Sequence, residues 1–216
     1  SLNGPWAANP GVTETTYLGC RRNYHIVMTD GRWNGYKHAY AAGGNIDGET
    51  SKTLGDGSTI YSNTGANAGQ TNLYRDSMDN TLADWAFKSW SERLQDPANL
   101  TGAVSPDAEY DKAPLTETIG GVALNKYWNP NYNSANWPHM VTYTIGFSAM
   151  AYQWKTNFSE SKYNITRPTE MVPFGYDGDF PNLVNGTKTW PNMSSEDRRS
   201  LDLWHAALNG RGRFFA

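Results

Sequence analysis

Hydrophobic positions fall along this chain in a few dense blocks separated by long polar stretches. The first, Tyr24 to Thr29 (YHIVMT), is a nearly continuous run rich in β-branched and aromatic residues, which predicts a parallel-sheet strand covered on both faces. It stops at Asp30 and Gly31. Leu82, Trp85, Ala86, Ser89, Trp90 and Leu94 recur at three-four spacing, with Lys88, Glu92 and Arg93 off that stripe. This predicts an amphipathic helix near 79–95, capped by Asp79 or Asn80 and stopped by Pro97. Met140 to Phe147 alternates, with Val141, Tyr143, Ile145 and Phe147 on one face and Thr142 and Thr144 on the other, and predicts a second strand near 140–147. A second helix is expected near 195–209, capped at Ser194 with Asp197 completing a variant capping box. Leu201, Trp204, Ala207 and Leu208 form its apolar stripe, and Gly210 lies beyond its end. Arg213 to Phe215 reads as the start of a third strand, near 213–216. Strand, helix, strand, helix, strand implies right-handed βαβ crossovers, hence an α/β fold with a parallel sheet flanked by helices, in one domain over 1–216.

The polar stretches between these blocks read as excursions. Residues 1–19 form an irregular lead-in. Two long insertions, near 31–78 and 148–194, are dominated by Gly, Asn, Asp, Ser and Thr, with only Ile60 and Tyr61 hinting at a strand in the first. Segments this long are expected to carry recognition rather than core. Leu115 to Lys126 is expected as a short helix broken by Gly120 and Gly121, and Tyr127 to Pro138 as a loop. Both insertions leave the carboxyl ends of strands, where ligands sit in open α/β sheets, and should gather around Asp30.

Composition narrows the function classes. A net charge of -3 with 18% charged residues gives no basic field, so nucleic acid is not an expected partner. No apolar run is long enough to span a bilayer, and the first residues carry no signal-peptide pattern. The 9 Trp and 13 Tyr among many Asn and Thr describe an aromatic, uncharged polar surface of the extracellular recognition type. The single Cys20 excludes an internal disulfide and is either a buried thiol or half of a bridge to another part of a longer chain.

Candidate chemistry is sparse. Asp30 either caps a turn or ligates a cation. Asp177 and Asp179 form a DxD-like pair suited to a cation, a sugar or a solvated turn. Asp47, Glu49 and Asp56 lack the alternation of a calcium loop. His25, expected to alternate into a buried strand, and His205, beside Trp204, read as structural histidines, and no histidine has an acid at ligand spacing. Trp33 and Tyr36 read as recognition residues; Tyr40, Tyr61, Trp128, Tyr132 and Tyr176 either bind or anchor, and Trp137 and Trp190, beside prolines, anchor loops. With no nucleophile elbow, Walker loop or dinucleotide fingerprint, the chain is expected not to be an enzyme. A hydrolase using Asp30 with Asp177 or Asp179 has no second group at fixed spacing to support it.

The blocks CRRNYHIVMTDGRWN, TLADWAFKSW, WPHMVTYTIGF and DLWHAALNGRGRFF, in that order, resemble the N-terminal, von Willebrand factor type A-like region of the PilC/PilY family of type IV pilus tip-associated proteins. The resemblance implies a fragment of a larger chain, a partial type A-like sheet, and Asp30 at the carboxyl end of a central strand. It implies a non-enzymatic protein acting in pilus assembly and in surface or host-cell adhesion. The expected location is the bacterial cell surface, at the pilus tip or outer membrane, after export through the periplasm. Minor pilins or a tip complex, a host-cell or surface receptor, and glycans are the expected partners. Of the family's metal-ion-dependent adhesion site only the last element is present, at Asp30. The nearest string to the missing Asp-x-Ser-x-Ser loop, Asp56-Gly57-Ser58, follows that strand rather than preceding it. The resemblance thus implies Mg2+ or Ca2+ only where the missing loop comes from outside this chain. The alternative reading is an extracellular carbohydrate-binding module using the Trp- and Tyr-rich loops.

Overall fold

The computed structural model describes residues 6, 7, 9, 11, 17–18, 21–29, 43–96, 100–101, 113–146, 176, 178–194 and 199–215. In chain order its elements are β1 (Tyr17–Leu18), β2 (Asn23–Thr29), β3 (Ser51–Thr53), β4 (Ile60–Ser62), α1 (Leu82–Ser91), β5 (Leu100–Thr101), β6 (Thr116–Ile119), β7 (Val122–Asn125), β8 (Met140–Gly146), α2 (Phe180–Asn185), α3 (Ser200–Asn209) and β9 (Arg211–Phe215). The strand–helix–strand–helix–strand order gives the expected result: β2, β8 and β9 form a three-stranded sheet in the order β2-β8-β9, parallel throughout. Among the described residues β2 lies at the edge of that sheet, not at its centre, with β8 as its neighbour.

The register assigns two faces. Paired residues of parallel strands share a face, so Tyr24, Ile26 and Met28 line up with Val141, Tyr143 and Ile145, and Phe215 lies beside Ile145. The other face carries Val27, Thr142, Thr144 and Phe214. Helices α1 and α3 cover this second face: the Thr144 hydroxyl donates to the Leu203 carbonyl at 2.8 Å, and Phe214 is buried. The expectation of a strand covered on both faces is therefore corrected. Tyr24, Ile26 and Met28 are 54, 58 and 61% exposed, and His25 is exposed as well. An unbroken apolar run does not distinguish burial on two faces from an apolar face left open.

Helix α1 is capped one residue beyond Asn80 and two beyond Asp79, the two expected caps. Thr81 is its cap, and Thr81 and Asp84 make a reciprocal capping box. Its buried side is Ala83, Asp84, Ala86, Phe87, Trp90 and Ser91, a stripe rotated from the expected one so that Phe87 is buried while Trp85 is half-buried. Helix α3 starts at Ser200 with no side-chain cap; Ser194 lies ahead of it, and residues 195–198 are outside the described residues. Every residue from Asp202 to Gly210 is buried, so α3 is a central helix rather than an amphipathic one.

The segment 115–126 is a hairpin, not a helix. Strands β6 and β7 pair antiparallel around Gly120 and Gly121, both at positive φ (58° and 83°), as a tight two-residue turn requires. The first insertion also departs from expectation: from 43 to 78 it contributes core, with Ile46, Leu54, Tyr61, Leu73, Tyr74 and Met78 all buried. Its β3–β4 hairpin turns at Asp56, whose carboxylate accepts the Ser58 and Thr59 amides and the Thr59 hydroxyl, so the Asp-Gly-Ser string is a turn. From the second insertion α2 supplies Phe180, Leu183 and Val184 to the same core.

Candidate functional site

Of the residues singled out in the sequence, Asp30, Trp33, Tyr36, Tyr40, Cys20 and Asp177 lie outside the described residues. Asp179 opens α2 and is 3% exposed; its carboxylate meets the Lys188 ammonium at 2.7 Å and accepts from the Asn182 amide at 3.2 Å. It does not sit on a solvated turn. Trp137 and Trp190 anchor loops as expected, donating from the indole nitrogen to the carbonyls of Trp90 and Leu73. Tyr61, Trp128 and Tyr176 are buried too, and Tyr132 is half-buried.

The structure gathers its chemistry elsewhere, around α3. Asp202, His205 and Asn209 lie along one side of that helix, at spacings of three and four. Asp202 reaches the start of α1, where its two oxygens accept the amides of Leu82 and Ala83 at 2.9 and 3.0 Å. With the capping box satisfying Thr81 and Asp84, the orphan donors at the head of α1 are matched by charge as well as by geometry. Asp84 then uses its other oxygen to hold the backbone of Ile46 and Asp47, at 2.6 and 3.2 Å. Two long-range contacts thus tie α3 to α1 and α1 to the first insertion.

At the centre stands the His205 imidazole, fully buried. One face stacks on Trp190, 4.2 Å between centroids and 18° between planes. Nε2 lies 3.1 Å from the Tyr74 carbonyl and 3.6 Å from Asp47 Oδ2; Nδ1 lies 3.4 Å from Asp76 Oδ2. Each carboxylate is also held from behind. Asp47 Oδ1 accepts the Asp76 amide and Oδ2 the Asn209 amide, while Asp76 Oδ1 accepts the Met78 amide at 2.7 Å. Tyr61 donates its hydroxyl to the Asp47 carbonyl.

Burial alone would push the imidazole down, but the approach of Asp76 together with the charges of Asp47 and Asp202 overrides it and holds His205 up to about 9. The same burial raises Asp47 well above the usual carboxylate range and pushes Asp202 up to about 7, against the two amides it accepts. Three acids, Asp47, Asp76 and Asp202, act on one buried histidine here, an arrangement that is costly unless a cation, protons or backbone donors compensate it. If Asp47, Asp76 and His205 each offer one atom, those atoms lie within 4.8 Å of one another, close enough for one metal ion to be shared.

The cation of the neighbouring core is Arg211, 4% exposed and at φ 58°. Its guanidinium sits 4.0 Å from the Tyr74 ring centroid and 3.7 Å from that of Trp90. It donates to the carbonyls of Leu208, Asn209 and Tyr127, the first two at the negative end of α3. His139 is the second buried histidine. It bonds the Trp137 carbonyl and the Asn133 amide, and burial lowers it to about 4.

The sequence pointed to His205 as a satisfied structural histidine; the structure buries it but leaves Nδ1 without a hydrogen-bond partner, and its acids escaped notice because Asp47 and Asp76 are distant in the chain and lie in polar stretches. One signal was present: DLWHAALN puts an acid, an imidazole and an amide on one side of a helix that has almost no other polar residue.

No family model matches the chain, and no solved structure matches it. Among curated proteins it is 36% identical over 218 residues to the type IV pilus biogenesis factor PilY1 of Pseudomonas aeruginosa strain PAK. It is 34% identical over 218 residues to the protein of that name from strain PAO1, and 33% over 219 residues to that from strain UCBPP-PA14. These matches take in 99 to 100% of this chain but 16% of each relative's length. As a segment of that length, the chain belongs to the PilC/PilY family of type IV pilus biogenesis factors.

Proposed function

We propose that this chain is a non-enzymatic segment of a type IV pilus biogenesis factor, acting at the bacterial cell surface and pilus tip in pilus assembly and in adhesion to surfaces or host cells. The observation that carries this reading is the similarity to PilY1 proteins along the whole chain. Minor pilins or a tip complex are the partners it implies. A type A-like sheet is supported by the parallel order β2-β8-β9 with helices on one face. In that reading Asp30, which follows β2, contributes one leg of a Mg2+ or Ca2+ site completed by a loop from elsewhere in the longer protein. Among the described residues no helix is long and apolar enough to cross a membrane.

The glycan-binding alternative is weaker, because Tyr61, Trp128, Trp137, Tyr176 and Trp190 are spent inside the core, each 7% exposed or less. The test is complementation of a strain lacking the gene, with the intact protein and with a version from which this segment is excised, both checked for equal abundance. Loss of surface pili, twitching and attachment with the excised version is expected; normal piliation and attachment would refute the reading.

A further inference from the structure

We infer that Asp47, Asp76 and His205 form a buried site for one divalent cation of the zinc or manganese type, which locks the first insertion onto α3. The inference stands on the node's geometry and is independent of the functional reading above.

The two ring nitrogens of His205 are in different situations. Nε2 faces the Tyr74 carbonyl at 3.1 Å, so it carries a hydrogen and donates. A histidine that ligates metal commonly gives its other N–H to a backbone carbonyl in this way, which fixes the tautomer and turns the free lone pair towards the ion. Here that lone pair belongs to Nδ1, which faces Asp76 Oδ2 at 3.4 Å. Neither atom has a hydrogen-bond partner, and both are sealed from solvent. A lone pair and a carboxylate oxygen need a positive charge between them, which a proton on Nδ1 supplies when no metal is bound and a divalent cation can supply in its place. Their separation is long for a nitrogen–oxygen hydrogen bond. It matches the edge of a tetrahedron with metal–ligand bonds of about 2.1 Å, which is about 3.4 Å.

The surroundings agree. Asp47 supplies a second carboxylate within 4.8 Å, its Oδ2 lying 3.6 Å from Nε2, and the Asn209 amide that supports it is itself buried with its oxygen unpartnered. Each carboxylate keeps one oxygen on a backbone amide, which orients the other. The donor set is one imidazole and two carboxylates. Calcium takes six to eight oxygens, more than this pocket offers, whereas imidazole with carboxylate suits zinc or manganese. Asp47 and Asp76 lie on the first insertion and His205 on α3, so the ion would bridge a segment rich in turns to the central helix.

Metal content of the purified protein, after dialysis against metal-free buffer, is compared with that of Asp76→Asn and His205→Gln variants. The wild type is expected to hold one more equivalent of zinc or manganese than either variant. A strong chelator should lower its melting temperature by roughly 5–10 °C, reversed by Zn2+ or Mn2+ and not by Ca2+. Should a variant fail to fold, Co2+ loading of the wild type decides: a visible d–d band displaced by Zn2+ is expected. Equal metal content in folded wild type and variants, an unchanged melting temperature with chelator, restoration by Ca2+ alone, or no Co2+ band would each overturn the site. The imidazole would then hold only protons between its two carboxylates.

Discussion

The two faces of the β2-β8-β9 sheet divide polarity in the opposite sense to the usual one. The inner face carries Thr142 and Thr144, and the helices packed on it bring Asp84, Asp202, His205 and Asn209 into the interior. The outer face presents Tyr24, Ile26, Met28 and Phe215, all large and about half exposed or more. The inner polarity is tolerable because its groups have assigned work: Asp202 and Asp84 hold helix and loop amides, and Thr144 holds a helix carbonyl. Among the described residues the outer apolar side chains have no comparable assignment. A contiguous exposed patch of this kind marks a surface used in contact. The inner face therefore serves stability, and the exposed apolar side chains of the outer face are not needed for it.

The largest effect expected from breaking this division is at Arg211. Arg211→Ala should cost about 3–5 kcal/mol, because it empties the space between Tyr74 and Trp90 and strips three carbonyls of their donor. Urea midpoints measure it, and a loss below 1 kcal/mol would show that the buried cation is dispensable.

His139 gives the next effect, through pH. Its folded value near 4 lies below the unfolded value of about 6.5, so between them the unfolded chain binds the proton and the native chain does not. Stability is complete above about pH 6.5 and falls by roughly 3 kcal/mol as pH drops through 4. Stability against pH for the wild type and His139→Gln isolates this contribution; parallel curves would contradict it.

Asp202→Ala should follow, at about 1–3 kcal/mol, for the orphaned amides of Leu82 and Ala83. Exchange of those two amides with solvent should speed up with it. The smallest change in stability, within about 0.5 kcal/mol, is expected for Ile26→Ser with Met28→Ser on the outer face. Placed in the full-length protein, the same pair should reduce surface piliation at unchanged protein abundance. A stability loss above 2 kcal/mol would show instead that the chain itself covers this face.

Much of the frame was legible. The runs at Tyr24–Thr29 and Met140–Phe147, the periodic helix around Trp90 and the terminal Arg213–Phe215 all became elements of the expected type, and their alternation gave the parallel sheet. Where the reading failed, local pattern had been overruled. Gly120 and Gly121 break a helix by propensity, but their positive φ makes a hairpin turn once β6 and β7 can pair. Composition marked residues 43–78 as polar and irregular, yet six scattered apolar side chains suffice to dock that segment in the core.

The sequence by itself determined the strand and helix blocks, their order and the family, because hydrophobic period and motif order are local properties that survive without coordinates. Only the tertiary structure decided which sheet face is buried and which acids meet His205. Burial depends on what packs against a face, and Asp47, Asp76 and His205 become neighbours only when the chain closes a long loop over α3. No residue spacing records that closure.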